Sequence, residues 1–450
     1  MFDIAINNGN LIDPELKKSF KGSLGIKDGK LIEITRGELV GEKTINAAGL
    51  IVCPGFIDIH GHVDGEDYCG ELSLRQGVTT TVGGNCGLSP IDMNAFFENQ
   101  DKRGFVINQA ELVGHSMSLR KAVGITNVYS AASTQQILKM QYLAEKALEE
   151  GACGLSLGLE YAPHSSLEEI LAISIIAAKH KRPITIHTRV LPENDLDSLR
   201  EAIEISRVTG AAVLISHFVY QYNAVMVKAL DIVDKAVKDG LNITIDSGMY
   251  TNWATSIGTA TFSEENVKNG IFSLNKMLVA SGKYKGERLN YKLYKELRAG
   301  NPHECIIYYT GTDENVYMAL DKSYAMPSSD TGPYKRGEGH PQIAGTFPRY
   351  FRYMVRERKE ISLTEAIRKA TFLPAEIMGL KQKGRIKIGS DADIAIFDIA
   401  TIKDTADFPD VGVPDRNPEG IKCVLVNGRL VLDEGSIQNN TAGRTIRTAS

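Results

Sequence analysis

The chain has 450 residues, of which 43% are hydrophobic and 24% charged, and its formal net charge is −4. This length predicts one large domain with a smaller one, and a pI near 6.2 provides no basic surface for nucleic acid. The sequence shows no apolar stretch long enough to cross a bilayer, no secretory signal in MFDIAINNGNLID, and no disulfide framework among its six scattered cysteines. We therefore expect a soluble cytoplasmic protein.

Both ends of the chain alternate short strands and turns. Residues 1–52 contain FDIAINNG, SLGIKDGKLIEI and EKTINAAGLIV, and residues 381–435 contain GRIKIGSDADIAIFD and IKCVLVNGRLVLDEG. Two half-sheets at opposite ends would leave open edges unless they pair with each other. We predict that residues 1–52 and 381–450 form one small composite β-sandwich domain. The final stretch, SIQNNTAGRTIRTAS, is polar and is expected to fray.

Residues 53–380 alternate candidate strands and helices. The eight candidate strands, the first of which starts just before this range, are LIVCPGFIDIH, VTTTVGG, FVINQAELVG, GACGLSLGL, PITIHT, AAVLISHF, NITIDSG and SYAMPSSD. One intervening helix, SSLEEILAISIIAAKH, opens with the capping-box pair Ser166 and Glu169. This order predicts an α/β fold, a (β/α)8 TIM barrel. Residues 251–310 are longer than a βα loop requires and are expected to form a lid or insertion.

Six metal-type side chains stand at the C-terminal ends of candidate strands, where such a barrel builds its active site. They are His60, His62, Cys86, His187, His217 and Asp330. His60 and His62 are two apart on extended chain and so point to the same side, and the glycines around Cys86 permit close approach of backbone and ligand. Histidine, cysteine and aspartate together form a zinc-type ligand set. The pattern predicts a metal-dependent hydrolase in which Asp330 moves the proton.

Each of these residues has a simpler interpretation when it is taken alone. Cys86 could be a small buried hydrophobe, His187 and His217 could be core histidines, and Asp330 could cap the turn in SSDTGP. A phosphate-cradling loop at GGNCG is not favoured, because no Lys-Ser/Thr follows. Their common position at strand ends favours the ligand interpretation.

Several motifs, taken in order, resemble those of the D-aminoacylase (N-acyl-D-amino-acid deacylase) family of the amidohydrolase superfamily. They are GFIDIHGH, GGNCG, LVGHSMSLR, GLSLGLEYAP, TIHTR, SHF, SSD and GHPQIAGTFPR. The resemblance covers nearly the whole chain and implies zinc-dependent cleavage of a C–N amide bond. Strand four, GACGLSLGL, lacks the lysine that often bridges two metals in the superfamily, and Cys86 matches the cysteine that replaces it in this family.

The same resemblance implies two metal sites. The tight zinc site would consist of Cys86, His187 and His217, and the second, weaker or optional site of His60, His62, Asp330 and Cys86.

The family's substrate-binding residues are matched only in part. Val219 stands where the family has a lysine that binds the substrate carboxylate, and Gln342 stands where it has an arginine. Tyr250 matches a tyrosine that contacts the same carboxylate, and His115 matches a motif residue near the pocket. We therefore expect an altered substrate specificity. The candidate replacement cations are Arg189, Lys335, Arg336 and Arg349.

Three other activities remain open at this point. A hydantoinase- or dihydroorotase-like enzyme would hydrolyse a cyclic amide with the same fold and ligands, and a deaminase would release ammonia without forming a new carboxylate. A non-catalytic scaffold is disfavoured by the complete ligand set. The expected partners are a small-molecule amide substrate and further copies of the same chain, without nucleic acid or membrane.

Overall fold

In a computed structural model, residues 1–190 and 196–448 are described, and their strands form three sheets. The strands before the barrel are β1 (Phe2–Asp13), β2 (Lys18–Lys27), β3 (Lys30–Thr35), β4 (Gly41–Asn46) and β5 (Ile51–Pro54). Seven barrel strands follow: β6 (Phe56–Asp58), β7 (Val78–Gly83), β8 (Asn108–Gly114), β9 (Gly154–Gly158), β10 (Ile184–His187), β11 (Val213–Ile215) and β12 (Ile243–Ser247). The remaining strands are β13 (Trp253–Ser256), β14 (Met277–Val279), β15 (Cys305–Tyr308), β16 (Ala325–Pro327), β17 (Ile394–Phe397), β18 (Ile421–Val426), β19 (Arg429–Asp433) and β20 (Ser436–Ile437).

Eight parallel strands form the barrel, in the order β16-β12-β11-β10-β9-β8-β7-β6. A bridge between Gly61 and Thr331, just beyond β6 and β16, joins the two outer strands. There the amide of His62 donates to the carbonyl of Thr331 at 2.7 Å. The predicted (β/α)8 barrel is therefore confirmed, and the C-terminal ends of its strands lie on one face.

Most of the helices connect successive strands and cover the barrel, and those within residues 253–308 pack in a core of their own. They are α1 (Asp67–Arg75), α2 (Met93–Arg103), α3 (Arg120–Ala122), α4 (Thr134–Glu149), α5 (Leu167–Lys179), α6 (Asp197–Thr209), α7 (Phe218–Tyr222), α8 (Met226–Lys238), α9 (Glu264–Lys268), α10 (Tyr291–Gly300), α11 (Asp313–Asp321), α12 (Gln342–Tyr350), α13 (Leu363–Ala370) and α14 (Phe372–Ile377). Among the helices of residues 1–190 and 196–448, none has the length and apolarity needed to span a bilayer.

Helix α5 shows how sequence pattern and tertiary structure combine. Ile170 and Ile173 are buried at helical spacing, and the Ser166 hydroxyl accepts from the amide of Glu169, as the capping pattern predicts. The Glu169 carboxylate, however, turns into the protein and accepts from Arg120 instead of completing the box. A buried cation offers it a charge-assisted hydrogen bond, which is stronger than a bond to an exposed amide.

Both chain ends contribute to a second sheet of nine strands, as predicted. Its order is β20-β19-β18-β17-β5-β1-β2-β3, with β4 beside β1. The two ends join where β5 pairs antiparallel with β17, with Pro54 opposite Ile394. Side chains such as Ile6, Leu24 and Ile396 are fully buried in a core of this sheet's own. Pairing of the two halves thus removes the open edge that each would have alone.

The chain then returns from this sheet to the barrel. The carbonyl of Arg444 accepts from the amide of Gln109, and the amide of Ile446 donates back to Gln109. The amide of Thr448 donates to Gly151, just before β9. The expectation that this polar tail frays is therefore wrong for residues 441–448, because backbone hydrogen bonds hold it and Ala442 and Ile446 pack against the core.

Residues 253–308 form the third sheet, antiparallel and in the order β13-β15-β14. It follows β12 and has a separate core that includes Phe262, Met277, Tyr294 and Ile306. One side of this insertion faces the C-terminal ends of the barrel strands, and residues of β13 line the cavity there.

Candidate active site

A cavity of about 490 Å³ opens at the C-terminal face of the barrel. Five of the six predicted ligands line it, and the sixth, His60, lies fully buried beside them. Within the described part of the chain, two overlapping triads place their ligand atoms within 4.8 Å of one another: His60, Cys86 and His217, and His60, His62 and Asp330. The strand ends thus bring together residues that are far apart in sequence.

Cys86 occupies the centre of the first triad. Its Sγ lies 3.3 Å from His187 Nδ1, 3.4 Å from His60 Nε2 and 3.8 Å from His217 Nε2. His187 Nδ1 and His217 Nε2 are 2.9 Å apart. A tetrahedral zinc with bonds of about 2.3 Å to sulfur and about 2.0 Å to nitrogen separates its ligand atoms by roughly 3.3–3.6 Å. The donor set suits such an ion, and the distances from Cys86 to His187 and His60 fall in this range. The two separations that involve His217, 3.8 Å and 2.9 Å, lie outside it.

Asp330 completes the second triad. Its Oδ1 lies 3.5 Å from His60 Nε2 and 3.5 Å from His62 Nε2. Gln342 holds the same residue by donating to the Asp330 main-chain carbonyl at 2.8 Å, and it accepts from the Tyr220 hydroxyl at 2.8 Å. Gln342, which the resemblance placed among substrate contacts, therefore supports the position of Asp330.

The ionisable groups of the cluster shift one another's pKa values. Burial raises the pKa of Cys86, but the charges of His60 and His187 outweigh it and hold that pKa well below its ordinary value. Burial lowers the pKa of His187, yet Cys86 and Glu160 together raise it to about 10. Burial raises the pKa of Asp330, but the hydrogen bond from His62 and the charges of the nearby histidines outweigh it and lower this pKa below its ordinary value. A thiolate and a carboxylate surrounded by imidazoles suit a divalent cation.

Three of the ligands adopt left-handed backbone conformations. The φ angles are 54° at Cys86, 34° at His217 and 47° at Asp330. Non-glycine residues rarely adopt such angles, and strain of this kind concentrates at functional sites. Gly158 leaves the space that Cys86 needs, because a Cβ there would lie 1.9 Å from the Cys86 carbonyl oxygen.

Two carboxylates that sequence reasoning missed contact the imidazoles. Asp246, in β12, has one oxygen 3.3 Å from His60 Nδ1 and accepts from the amide of His217 with the other at 3.0 Å. Glu160 lies 2.5 Å from His187 Nε2. Such partners fix the tautomer and orientation of ligand histidines. Asp246 had a signal, because ITIDS in β12 has the same form as ITIH in β10. Glu160 also had a signal, because it stands in the motif GLSLGLEYAP, two residues after the end of β9.

His115 and Tyr250 are not among the described residues that line this cavity. His115 is fully buried, with Nε2 at 2.9 Å from Glu169 Oε1. Tyr250 lines a separate cavity of about 470 Å³ together with Arg349 and Asp404. A direct substrate contact by His115 or Tyr250 stays a prediction of the sequence.

Of the four candidate replacement cations, only Arg189 lines the cavity among the described residues. Its Nε donates to Glu201 at 2.8 Å, and its terminal nitrogens donate to Glu201 and to the carbonyls of Pro163 and Ser165. Arg189 is therefore committed to protein partners. Val219, where the resemblance expects a lysine, is fully buried in the core.

The amidohydrolase family model matches residues 51–431. The chain therefore belongs to the amidohydrolase family, whose members are hydrolases, and it acts on amide C–N bonds.

Within that family, the chain is similar to enzymes that deacylate D-amino acids. It is 28% identical to the D-aminoacylase of Alcaligenes xylosoxydans xylosoxydans, over 100% of this chain and 98% of the relative. It is 29% identical to the N-acyl-D-glutamate deacylase of the same organism, over 99% and 96% of the two chains. A crystal structure of the Bordetella bronchiseptica N-acyl-D-glutamate deacylase, complexed with zinc and a phosphonate inhibitor, matches with a TM-score of 0.88 and 26% identity, over 99% of this chain and 100% of that one.

Proposed function

We propose that the protein is a zinc-dependent deacylase that cleaves an acyclic N-acylated amine, with a substrate specificity different from that of its relatives. The observation that carries this proposal is the convergence of six metal-type ligands on one cavity at the C-terminal barrel face. The relatives named above, which deacylate N-acyl-D-amino acids, support the reaction class.

The ligands divide into two sets around Cys86. The first ion would be held by Cys86, His187 and His217, and a second, weaker one by His60, His62 and Asp330 with Cys86. When bound, a divalent metal polarises an amide carbonyl and lowers the pKa of a water molecule towards about 7.

Asp330 moves the proton in the proposed reaction. Its lowered pKa keeps it a carboxylate at neutral pH, and it faces the cavity. It accepts the proton of the attacking water and delivers it to the leaving nitrogen, so that the amide yields a carboxylate and an amine. Gln342 fixes the backbone of Asp330 and so maintains the direction of this transfer.

The first test measures metal content and amide hydrolysis on the same purified protein, before and after chelation. We expect one to two zinc ions per chain and chelator-sensitive release of an amine from a panel of linear N-acyl compounds. Cyclic ureides and imides in the same panel test the hydantoinase-like alternative, and ammonia release without a new carboxylate would indicate a deaminase. Folded protein that cannot be loaded with metal would contradict the proposal.

The second test replaces Asp330 by Asn. Loss of the proton acceptor should lower kcat by roughly 10²–10⁴-fold, while the metal bound by Cys86, His187 and His217 stays in place. The matched control is Asp231→Asn, because Asp231 is exposed on α8. Near-normal turnover by the Asp330 variant would refute the assigned role.

A further inference from the structure

The cavity wall contributed by the insertion is aromatic. Trp253, Phe272 and Tyr308 all line the cavity, and their rings contact one another: the centroids of Trp253 and Tyr308 are 5.3 Å apart, and those of Phe272 and Tyr308 5.2 Å. Trp253 is only half-buried, so part of its ring is open to the cavity. Further aromatic rings line other parts of the wall: Tyr161, Tyr220, Tyr222 and Tyr334. This wall offers flat apolar surface to a bound molecule.

Among the described lining residues, carboxylates outnumber lysines and arginines. The carboxylates that line it are Asp64, Glu66, Glu160 and Asp330. Arg189 is the single lysine or arginine among the described lining residues, and Glu201 binds it through two nitrogens. The segment at positions 191–195 reads LPEND and therefore adds no lysine or arginine.

Three cations outside the described cavity lining are directed at other partners. Arg336 lies over the ring of Tyr68, with its guanidinium 4.8 Å from the centroid. Lys285 donates to the carbonyl of Gly337 at 2.8 Å. Arg349 binds Asp404 and lines the separate cavity. Among the described lining residues, a substrate carboxylate would therefore meet no lysine or arginine that is not already paired, and an unpaired buried carboxylate is strongly disfavoured.

We propose that the substrate is an N-acylated amine without a carboxylate. A flat ring of this substrate packs against Trp253, Phe272 and Tyr308, and any charged group that it carries is cationic. This inference rests on the proposed deacylase function and names its substrate class. Ring stacking contributes about 0.5–1.5 kcal/mol beyond area burial, and a cationic substituent would also be attracted to these aromatic faces. The cluster of ligand residues around Cys86 determines the reaction, and the aromatic wall of the insertion selects the substrate.

The test compares two compounds that differ only in the carboxylate, N-acetyl-2-phenylethylamine and N-acetyl-D-phenylalanine, with the zinc-loaded protein. We expect kcat/KM for the carboxylate-free compound to be at least tenfold higher. The corresponding aliphatic compound, N-acetyl-3-methylbutylamine, should be hydrolysed more slowly than the aromatic one. Equal or faster hydrolysis of N-acetyl-D-phenylalanine would overturn the proposal.

Binding is measured separately from turnover. Trp253 is the chain's single tryptophan, so its fluorescence reports occupancy of the cavity even if no amide is cleaved. Tighter binding of the carboxylate-free compound without turnover would support this inference and refute the deacylase function. Turnover of both compounds with equal affinity would support the deacylase function and refute this inference.

Ala254→Lys places a cation on the same wall, because Ala254 lines the cavity. We expect it to reduce the discrimination against N-acetyl-D-phenylalanine at least tenfold. The matched control, Ala260→Lys, adds the same charge at a partly buried position that does not line this cavity. Its discrimination should equal that of the unmodified protein, and an equal change in both variants would overturn the electrostatic argument.

Discussion

Two buried clusters of the barrel contain similar side chains but are organised in opposite ways. Around Cys86, imidazole nitrogens and carboxylate oxygens point at a common centre beside a cavity. Around Glu169, His115 and Arg120 are equally buried, but both direct their hydrogen bonds at one carboxylate. In the second cluster Arg120 donates to Ser165 and Ser130 as well, and one Glu169 oxygen is buried without a hydrogen-bond partner among the described residues.

The difference lies in the direction of the lone pairs. Histidine, carboxylate and burial occur in both clusters, so residue type and burial do not by themselves define a functional site. The Cys86 cluster has acceptors that converge on one point and strained backbone at Cys86, His217 and Asp330. The Glu169 cluster neutralises its charges internally and connects α3 with α5.

Cys86→Ala should give the largest functional effect, because Cys86 belongs to both implied metal sites. We expect loss of bound metal and a decrease in kcat/KM on the order of 10³-fold, equivalent to about 4 kcal/mol of transition-state stabilisation. Elemental analysis and amide hydrolysis check this. Cys153→Ala is the control, because Cys153 is also fully buried but lies at the start of β9, away from the cavity lining. Retention of metal and activity by the Cys86 variant would contradict the comparison.

Arg120→Met should affect stability rather than chemistry. Removing one partner of a buried ion pair costs about 3–5 kcal/mol of unfolding free energy, because Glu169 is left buried without its cation. Denaturant unfolding measures the loss, and metal content per folded molecule should not change. A second variant, Arg120→Lys, keeps the charge and should lose less. Metal loss without loss of stability would break the distinction between the clusters.

Asp246→Asn should have an intermediate effect. Asp246 orients His60 and receives the amide of His217, and loss of such a partner lowers metal affinity by roughly 10–100-fold. Competition with a chelator of known affinity measures this change. Asp234→Asn is a suitable control, because Asp234 binds Lys322 on the outside of the barrel. An unchanged metal affinity in the Asp246 variant would show that this contact is only structural.

Acid should weaken the cluster around Glu169, and this effect is the smallest. Burial lowers the pKa of His115 below its ordinary 6.5, so its contribution to stability is lost as pH falls from 6.5 towards the folded value. The pKa of Glu169 is also lowered: burial opposes this, but the hydrogen bond from His115 and its other partners prevail, so its contribution is lost below about 4.5. Between pH 7 and 5, the unfolding free energy of His115→Gln should fall less steeply than that of the unmodified protein. The two slopes should differ by at most about 1.4 kcal/mol per pH unit.

The sequence was sufficient for features set by local pattern. The eight strands and the six candidate ligands at their ends follow from alternating apolar runs that stop at a ligand-type residue. The prediction that Ser166 caps α5 is also confirmed, because its hydroxyl accepts from the amide of Glu169 three residues away.

Features set by long-range contacts could not be predicted in this way. The direction of the Glu169 side chain depends on Arg120, and the ordered tail depends on hydrogen bonds between Arg444 and Gln109. Arg189 has the charge of a carboxylate-binding residue, but its pairing with Glu201 becomes visible only in three dimensions. Sequence reasoning identified the side chains that can act, and tertiary contacts decide which of them are already committed.

The pairing of β5 with β17 has a consequence for synthesis. The strands near the start of the chain are the first to leave the ribosome, but Pro54 cannot meet Ile394 until the whole barrel has been translated. During that time the apolar edge of β5 has no native neighbour, and unpaired edges of this kind favour aggregation. Completion of this sheet is therefore a post-translational step, and slow translation or a shortage of chaperones should reduce the yield of native protein before any defect in the barrel becomes apparent.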